Sequence, residues 1–137
     1  MPDLRLDDGC LLHYTLDDYT DPWTEPEADV LLHGLGESGA VWFGWVPHLA
    51  RRLRIVRPDL RGFGASTPMP AGFAWSVERL VADFLALIDA AGCPQVHLVG
   101  APVPDLERHR EEVARVADRR RHVGDAPVEV ARPPVVV

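Results

Sequence analysis

Hydrophobic residues alternate along the first fifteen positions of the chain. Leu4 and Leu6 precede an Asp8-Gly9 step, and Leu11, His13 and Thr15 follow it at the same spacing of two. That pattern predicts an N-terminal β-hairpin. Pro22 and Pro26 withhold backbone donors, so the stretch around them reads as a loop. Residues 29–33, Leu53–Val56 and Val96–Gly100 are short runs apolar on both faces, as inner strands of a covered sheet are. Between the first two lies AVWFGWVPHLARR, residues 40–52. It predicts a helix with Trp42, Trp45 and Leu49 on one side, interrupted in its logic only by Pro47. A second helix is predicted over residues 76–91. Ser76 can accept from the Arg79 N–H as its cap, and Val77, Leu80, Val81, Phe84, Leu87 and Ile88 form its apolar stripe. Gly92 and Pro94 end it. After the hairpin the order is strand, helix, strand, helix, strand. This is the signature of an α/β, mostly parallel sheet with right-handed crossovers.

Beyond Gly100 the pattern dissolves. All ten aromatic residues lie at or before Phe84, and Ala, Arg, Val and Pro make up 26 of the final 37 residues. The segment DLERHREEVARVADRRR carries only Leu106, Val113 and Val116 as a thin apolar stripe. Such a segment buries little against its ordering cost, so a polar helix or a poorly structured tail is expected. The chain is therefore divided into a core, residues 1–100, and a divergent tail, residues 101–137. The codons of the dominant tail residues can be GC-rich, which makes an out-of-frame origin one hypothesis. Divergence into a short binding module is the other. The coding DNA decides between them: if neither alternative frame after codon 100 continues the fold, the out-of-frame origin is wrong.

Charge narrows the partners. Residues 1–100 carry seven Arg and no Lys against fourteen acidic residues, and the whole chain has a net charge of -7. An acidic core argues against nucleic acid or an anionic membrane surface as partner. Cys10 and Cys93 are isolated, with no histidine at metal-ligand spacing, so no metal site is expected. Free thiols, an acidic N-terminus and no apolar run of membrane-spanning length lead to the cytoplasm as the expected location.

Three segments carry the candidate chemistry: VLLHGLGESGAVW, VRPDLRGFGAS and VHLVG. In this order and spacing they resemble the amino-terminal half of the α/β-hydrolase superfamily, in its esterase, lactonase and carbon–carbon hydrolase branch. The resemblance covers residues 3–100 and implies a partial α/β-hydrolase fold. It implies that His33 and Gly34 open the turn that aims the Leu35 N–H at an oxyanion. The His33 side chain is expected to brace that turn rather than to move protons. A phosphate cradle at Gly34 and Gly36 is set aside, because neither GxxxxGK[ST] nor GxGxxG follows. Asp59, Arg61, Gly62 and Gly64 match the family's structural loop after the next strand, with Arg61 expected to pair with local carboxylates or carbonyls. Ser66 and Ser38 are poor nucleophile candidates, and Ser38 is expected to cap the following helix.

The departure from the family lies after the third inner strand. The resemblance implies G-x-S-x-G there, with the serine on a strained turn. Matched from Gly100, the serine position is Pro102 and the second glycine is Pro104. Proline has no hydroxyl, and its ring fixes φ. His109 and His122 lie in a charged segment and are expected to face solvent. No catalytic residue is assigned. The intact relatives implied here cleave an ester or similar acyl bond of a small substrate without a cofactor. This chain is expected to be an inactive member, with a non-catalytic binding module as the alternative. In the family's strand order a later strand lies beside residues 96–100. Without it, Val96, Leu98 and Val99 would stand on an open edge and invite self-association. The helix at 76–91 would cover one sheet face and leave apolar surface on the other.

Overall fold

The computed structural model describes residues 3–93 and 95–100. The expectations for the tail, and for Pro102 and Pro104, lie outside the described residues. The hairpin is formed by β1 (Asp3–Arg5) and β2 (Leu11–Asp17), with Leu4 opposite Leu12. The Leu6 N–H donates to Cys10 O, and Gly9 takes φ +86° in the turn, a value open to glycine. The buried side of β2 is Leu12 and Tyr14, while Leu11 is exposed and His13 and Thr15 are half-buried. The alternating set Leu11, His13, Thr15 singled out in the sequence is thus the outer face. The inner face is set by Leu4 pairing with Leu12.

The remaining strands are β3 (Ala28–Leu32), β4 (Arg54–Pro58) and β5 (Val96–Gly100), and the sheet order is β1-β2-β4-β3-β5. β3 runs parallel to both β4 and β5, and β2 runs antiparallel to β4. The sheet is therefore mixed: the inner strands β3, β4 and β5 are parallel, and the N-terminal hairpin joins them antiparallel through β2. The second helix, α2 (Val77–Ala91), is capped as the sequence predicts. Ser76 accepts from the Arg79 N–H at 3.2 Å, and Gly92 closes the helix in the left-handed conformation at φ +65°.

The first helix differs from expectation. Residues Gly39–Trp45 form a 3-10 helix, and only Val46–Leu49 are α-helical, as α1. Pro47 explains the break. It has no N–H to give to the Phe43 carbonyl, and that carbonyl instead receives the Val46 N–H. Pro47 is tolerated because it stands in the first turn of α1. Trp42 and Leu49 pack inward as expected, but Trp45 is half exposed.

Both sheet faces carry a core. On one side Leu12, Tyr14, Val30, Val56 and Val96 pack with Leu87 of α2. On the other, Leu31 and Ile55 pack with Val46 and Ala50. α2 covers one face, as expected, and the second face is covered in part by the 3-10 segment and α1. Phe43, Val41 and Trp45 remain exposed there.

Candidate functional site

The C-terminal ends of β3, β4 and β5 point the same way, because these strands are parallel. Loops at that end converge, as they do at ligand sites of open α/β sheets. The turn after β3 starts at His33, which is fully buried. The Leu60 N–H donates to His33 Nε2 at 2.8 Å, so that nitrogen offers its lone pair. The ring proton therefore sits on Nδ1, which donates to Gly34 O at 2.7 Å. Both ring nitrogens are engaged, tying the β3 turn to the loop after β4. The Phe63 ring packs against the imidazole in an edge arrangement at 5.9 Å.

Gly34, Leu35, Gly36 and Glu37 make one tight turn. The Glu37 N–H donates to Gly34 O at 3.3 Å, and Gly36 sits at φ +76°, as the third position of a type II turn requires. The carbonyl of Gly34 thus faces inward, toward His33 and the Glu37 N–H. A trans peptide sends its C=O and N–H in opposite directions. The Leu35 N–H is therefore turned away from the turn interior. It has no acceptor among the described residues, and Leu35 is 66% exposed. This is a backbone donor held in place and open to a ligand oxygen.

The loop after β4 supports that turn. Asp59 Oδ1 accepts from the Gly39 N–H at 2.7 Å and Oδ2 from the Ala65 N–H at 2.8 Å. Its backbone carbonyl accepts from Ser66 Oγ at 2.7 Å. Ser66 Oγ in turn accepts from the His13 N–H at 2.9 Å. The Ser66 hydroxyl is buried and occupied on both sides, without an imidazole to take its proton. Ser38 Oγ accepts from the Ala40 N–H at the start of the 3-10 helix. Gly62 lies against Trp75 and Met69, so a side chain there would meet the indole.

Arg61 is almost fully buried, and its partners are not local. Its Nε and Nη2 donate to both oxygens of Asp83 on α2, at 2.8 and 2.7 Å, and its Nη1 donates to Asp8 in the hairpin turn at 2.5 Å. The hydrogen bond to Asp83 holds the guanidinium charged against the opposing cost of burial. Phe73 lies under the guanidinium at 5.8 Å. Arg61 pairs with carboxylates, as expected, but not with local ones. They lie 53 and 22 positions away.

Other titratable groups stand apart from the turn. Asp29, at the opposite end of β3 from His33, has its carboxyl pushed up by burial. Burial likewise pushes the Cys10 thiol up, which is wrong for a thiolate nucleophile. Among the described residues no three His, Cys, Asp or Glu side chains cluster to hold a metal ion. No helix among them is long and apolar enough to cross a membrane. Gly100, the last residue of β5, pairs with Leu32 beside the start of the turn. The position expected for a nucleophile elbow thus begins at the same end of the sheet as the Leu35 donor.

The described residues thus form a mixed α/β sheet with an unpaired backbone donor in the turn after β3. The model for the alpha/beta hydrolase fold matches residues 30–101, and the chain belongs to that family. Over 74 residues it is 39% identical to a 2-hydroxy-6-oxo-2,4-heptadienoate hydrolase of Pseudomonas putida, covering 52% of this chain and 26% of that protein. A pimeloyl-(acyl-carrier protein) methyl ester esterase of Aeromonas hydrophila is 44% identical over 71 residues, covering 52% and 26%. Among solved structures, the enol-lactonase of Burkholderia xenovorans superposes with a TM-score of 0.63 at 29% identity. It covers 72% of this chain and 36% of that one. The chain spans about a quarter of the length of the curated relatives it matches.

Proposed function

We propose that this chain carries the oxyanion-binding half of an esterase- or lactonase-like hydrolase and does not itself turn over esters. The observation that carries this reading is the outward Leu35 N–H, fixed by His33 and Gly34, in a chain whose serine position is Pro102. In relatives that act on acyl bonds, a donor of this kind stabilises charge that develops on the carbonyl oxygen. The attack itself needs a nucleophile with a base beside it. Pro102 and Pro104 remove the serine and the glycine of the elbow, and the family match stops at residue 101. Ser66, Ser38 and Ser76 are committed to structural hydrogen bonds. Residues 1–100 form the hydrolase-like core under this reading, and residues 101–137 the divergent segment.

Purified chain treated with a fluorophosphonate probe and mapped by mass spectrometry tests the proposal. No stoichiometric label and no hydrolysis of short-chain p-nitrophenyl esters are expected. Labelling of one serine that disappears on heat denaturation overturns it. The two buried free thiols, Cys10 and Cys93, support a reducing compartment such as the cytoplasm.

A further inference from the structure

Glycine has no Cβ to restrict it, so a glycine that must hold one conformation has to be fixed from outside. Gly34 is such a residue: it is buried, and the peptide that follows it carries the Leu35 N–H. The preceding peptide presents the Gly34 N–H, which donates to Glu37 Oε2 at 2.8 Å. The following peptide presents Gly34 O, which accepts from the Glu37 N–H and from His33 Nδ1. Glu37 therefore grips both peptide planes that flank Gly34, one with its carboxylate and one with its backbone. The next anchor along the chain is the Gly39 N–H on Asp59, after Ser38.

We propose that Glu37 is the positioning residue of the Leu35 donor: its carboxylate fixes the His33–Gly34 peptide so that the Leu35 N–H keeps one direction. The proposal rests on the oxyanion-turn reading above and adds the group that sets the geometry. Without the carboxylate, the Gly34 N–H is a buried donor with no partner, and the peptide rotates to find one. A charge-assisted bond also holds more tightly than a neutral one, which suits a turn that must not relax when a ligand oxygen approaches.

The test uses the 137-residue chain labelled with nitrogen-15 and reads backbone amides, so it needs no turnover. In E37A, amide exchange at Gly34 accelerates by roughly tenfold or more, as loss of a hydrogen bond to a charged group implies, and the Leu35 amide resonance moves. E37Q keeps an acceptor oxygen at the same reach and restores both signals toward the parent. E37D keeps the charge but withdraws it by one methylene, and it behaves like E37A. This variant also carries the test should E37A fail to fold. Unchanged Gly34 exchange and an unmoved Leu35 resonance in E37A or E37D overturn the proposal, as does failure of E37Q to restore them. Fluorophosphonate labelling bears only on the function proposed above, so the two readings fail separately.

Discussion

Arg61 and Asp83 meet as a two-bond ion pair, with Nε to Oδ2 at 2.8 Å and Nη2 to Oδ1 at 2.7 Å, and side-chain exposures of 1% and 5%. The pair links the loop after β4 to α2. Through Asp8 the same guanidinium reaches the hairpin turn. One buried cation thereby joins three parts of the chain that also meet in the apolar cluster around Leu12 and Leu87. It also fixes the base of the loop that carries Leu60, the donor to His33.

Breaking that pair from one side leaves a charge buried without its partner. Asp83→Leu should lose about 3–5 kcal/mol of stability in urea melts. Replacing both partners, Arg61→Met with Asp83→Leu, should lose less than Asp83→Leu alone, because no orphaned cation remains. Asp8 is partly exposed and keeps Arg79 at 3.1 Å in the double variant. A double variant weaker than the single one would show that the pair contributes more than the apolar packing that replaces it.

Acid should loosen the same junction. The Arg61 hydrogen bond, helped by the Cys10 N–H, holds the Asp8 carboxyl below its ordinary value of 3.8. A carboxyl lowered in the folded state contributes stability that is full above about pH 5. That stability is lost as pH falls below 3.8 and through the folded value. Asp29 acts in the opposite sense. Burial raises it, so its contribution declines as pH rises through 3.8 and above. Asp8→Asn should flatten the acid limb of a stability–pH curve between about pH 5 and 2. An acid limb identical to the parent's would place the proton uptake elsewhere.

Much of the frame was legible because it rests on periodicity. β5, the Ser76 cap and the Gly92 stop stand at the expected residues, the HG turn follows β3, and the DLRGFG loop follows β4. What escaped was long-range. Asp83 falls in the apolar stripe between Leu80 and Leu87, and a carboxylate on the buried face of an amphipathic helix signals a buried cation. Asp8 gave no such sign, since acidic residues are ordinary in a hairpin turn. Pro47 is visible in the sequence, but its effect depends on which carbonyl it leaves without its N–H, and that is settled by the course of the preceding 3-10 turn. Glu37 was invisible as a pin, because a charged residue after a glycine turn reads as surface.

The glycines separate two kinds of constraint. Gly36 needs φ +76°, but a Cβ there meets nothing within 4 Å. Gly64 needs φ +53°, and its added Cβ would overlap Asp59 Oδ2, the acceptor of the Ala65 N–H. Gly36→Ala should cost about 1 kcal/mol from backbone strain alone. Gly64→Ala should cost more, because it also displaces the carboxylate that anchors Gly39. Guanidinium melts of the two variants compare them directly. Equal losses would mean that Asp59 yields without consequence.

Self-association is the expected outcome of the β5 edge. The Ala28 N–H donates to Gln95 O, so the parallel pattern turns the N–H and C=O groups of Val96, Leu98 and Gly100 to the side away from β3. Among the described residues no strand lies on that side. The strand, VHLVG, carries no lysine, proline or carboxylate of the kind that blunts an edge. These groups are what a second copy's β5 would pair with if self-association runs through this edge. Sedimentation velocity should therefore show association that grows with protein concentration. Gly100 is exposed, and an added Cβ meets only Leu32 Cβ at 3.9 Å, an ordinary contact. Gly100→Lys is thus a mild substitution that places a charge at the end of the open edge. It should shift the chain toward monomer with little change in melting temperature. A parent chain that stays monomeric at every concentration, or a Gly100→Lys variant that associates as strongly as the parent, would remove β5 as the contact.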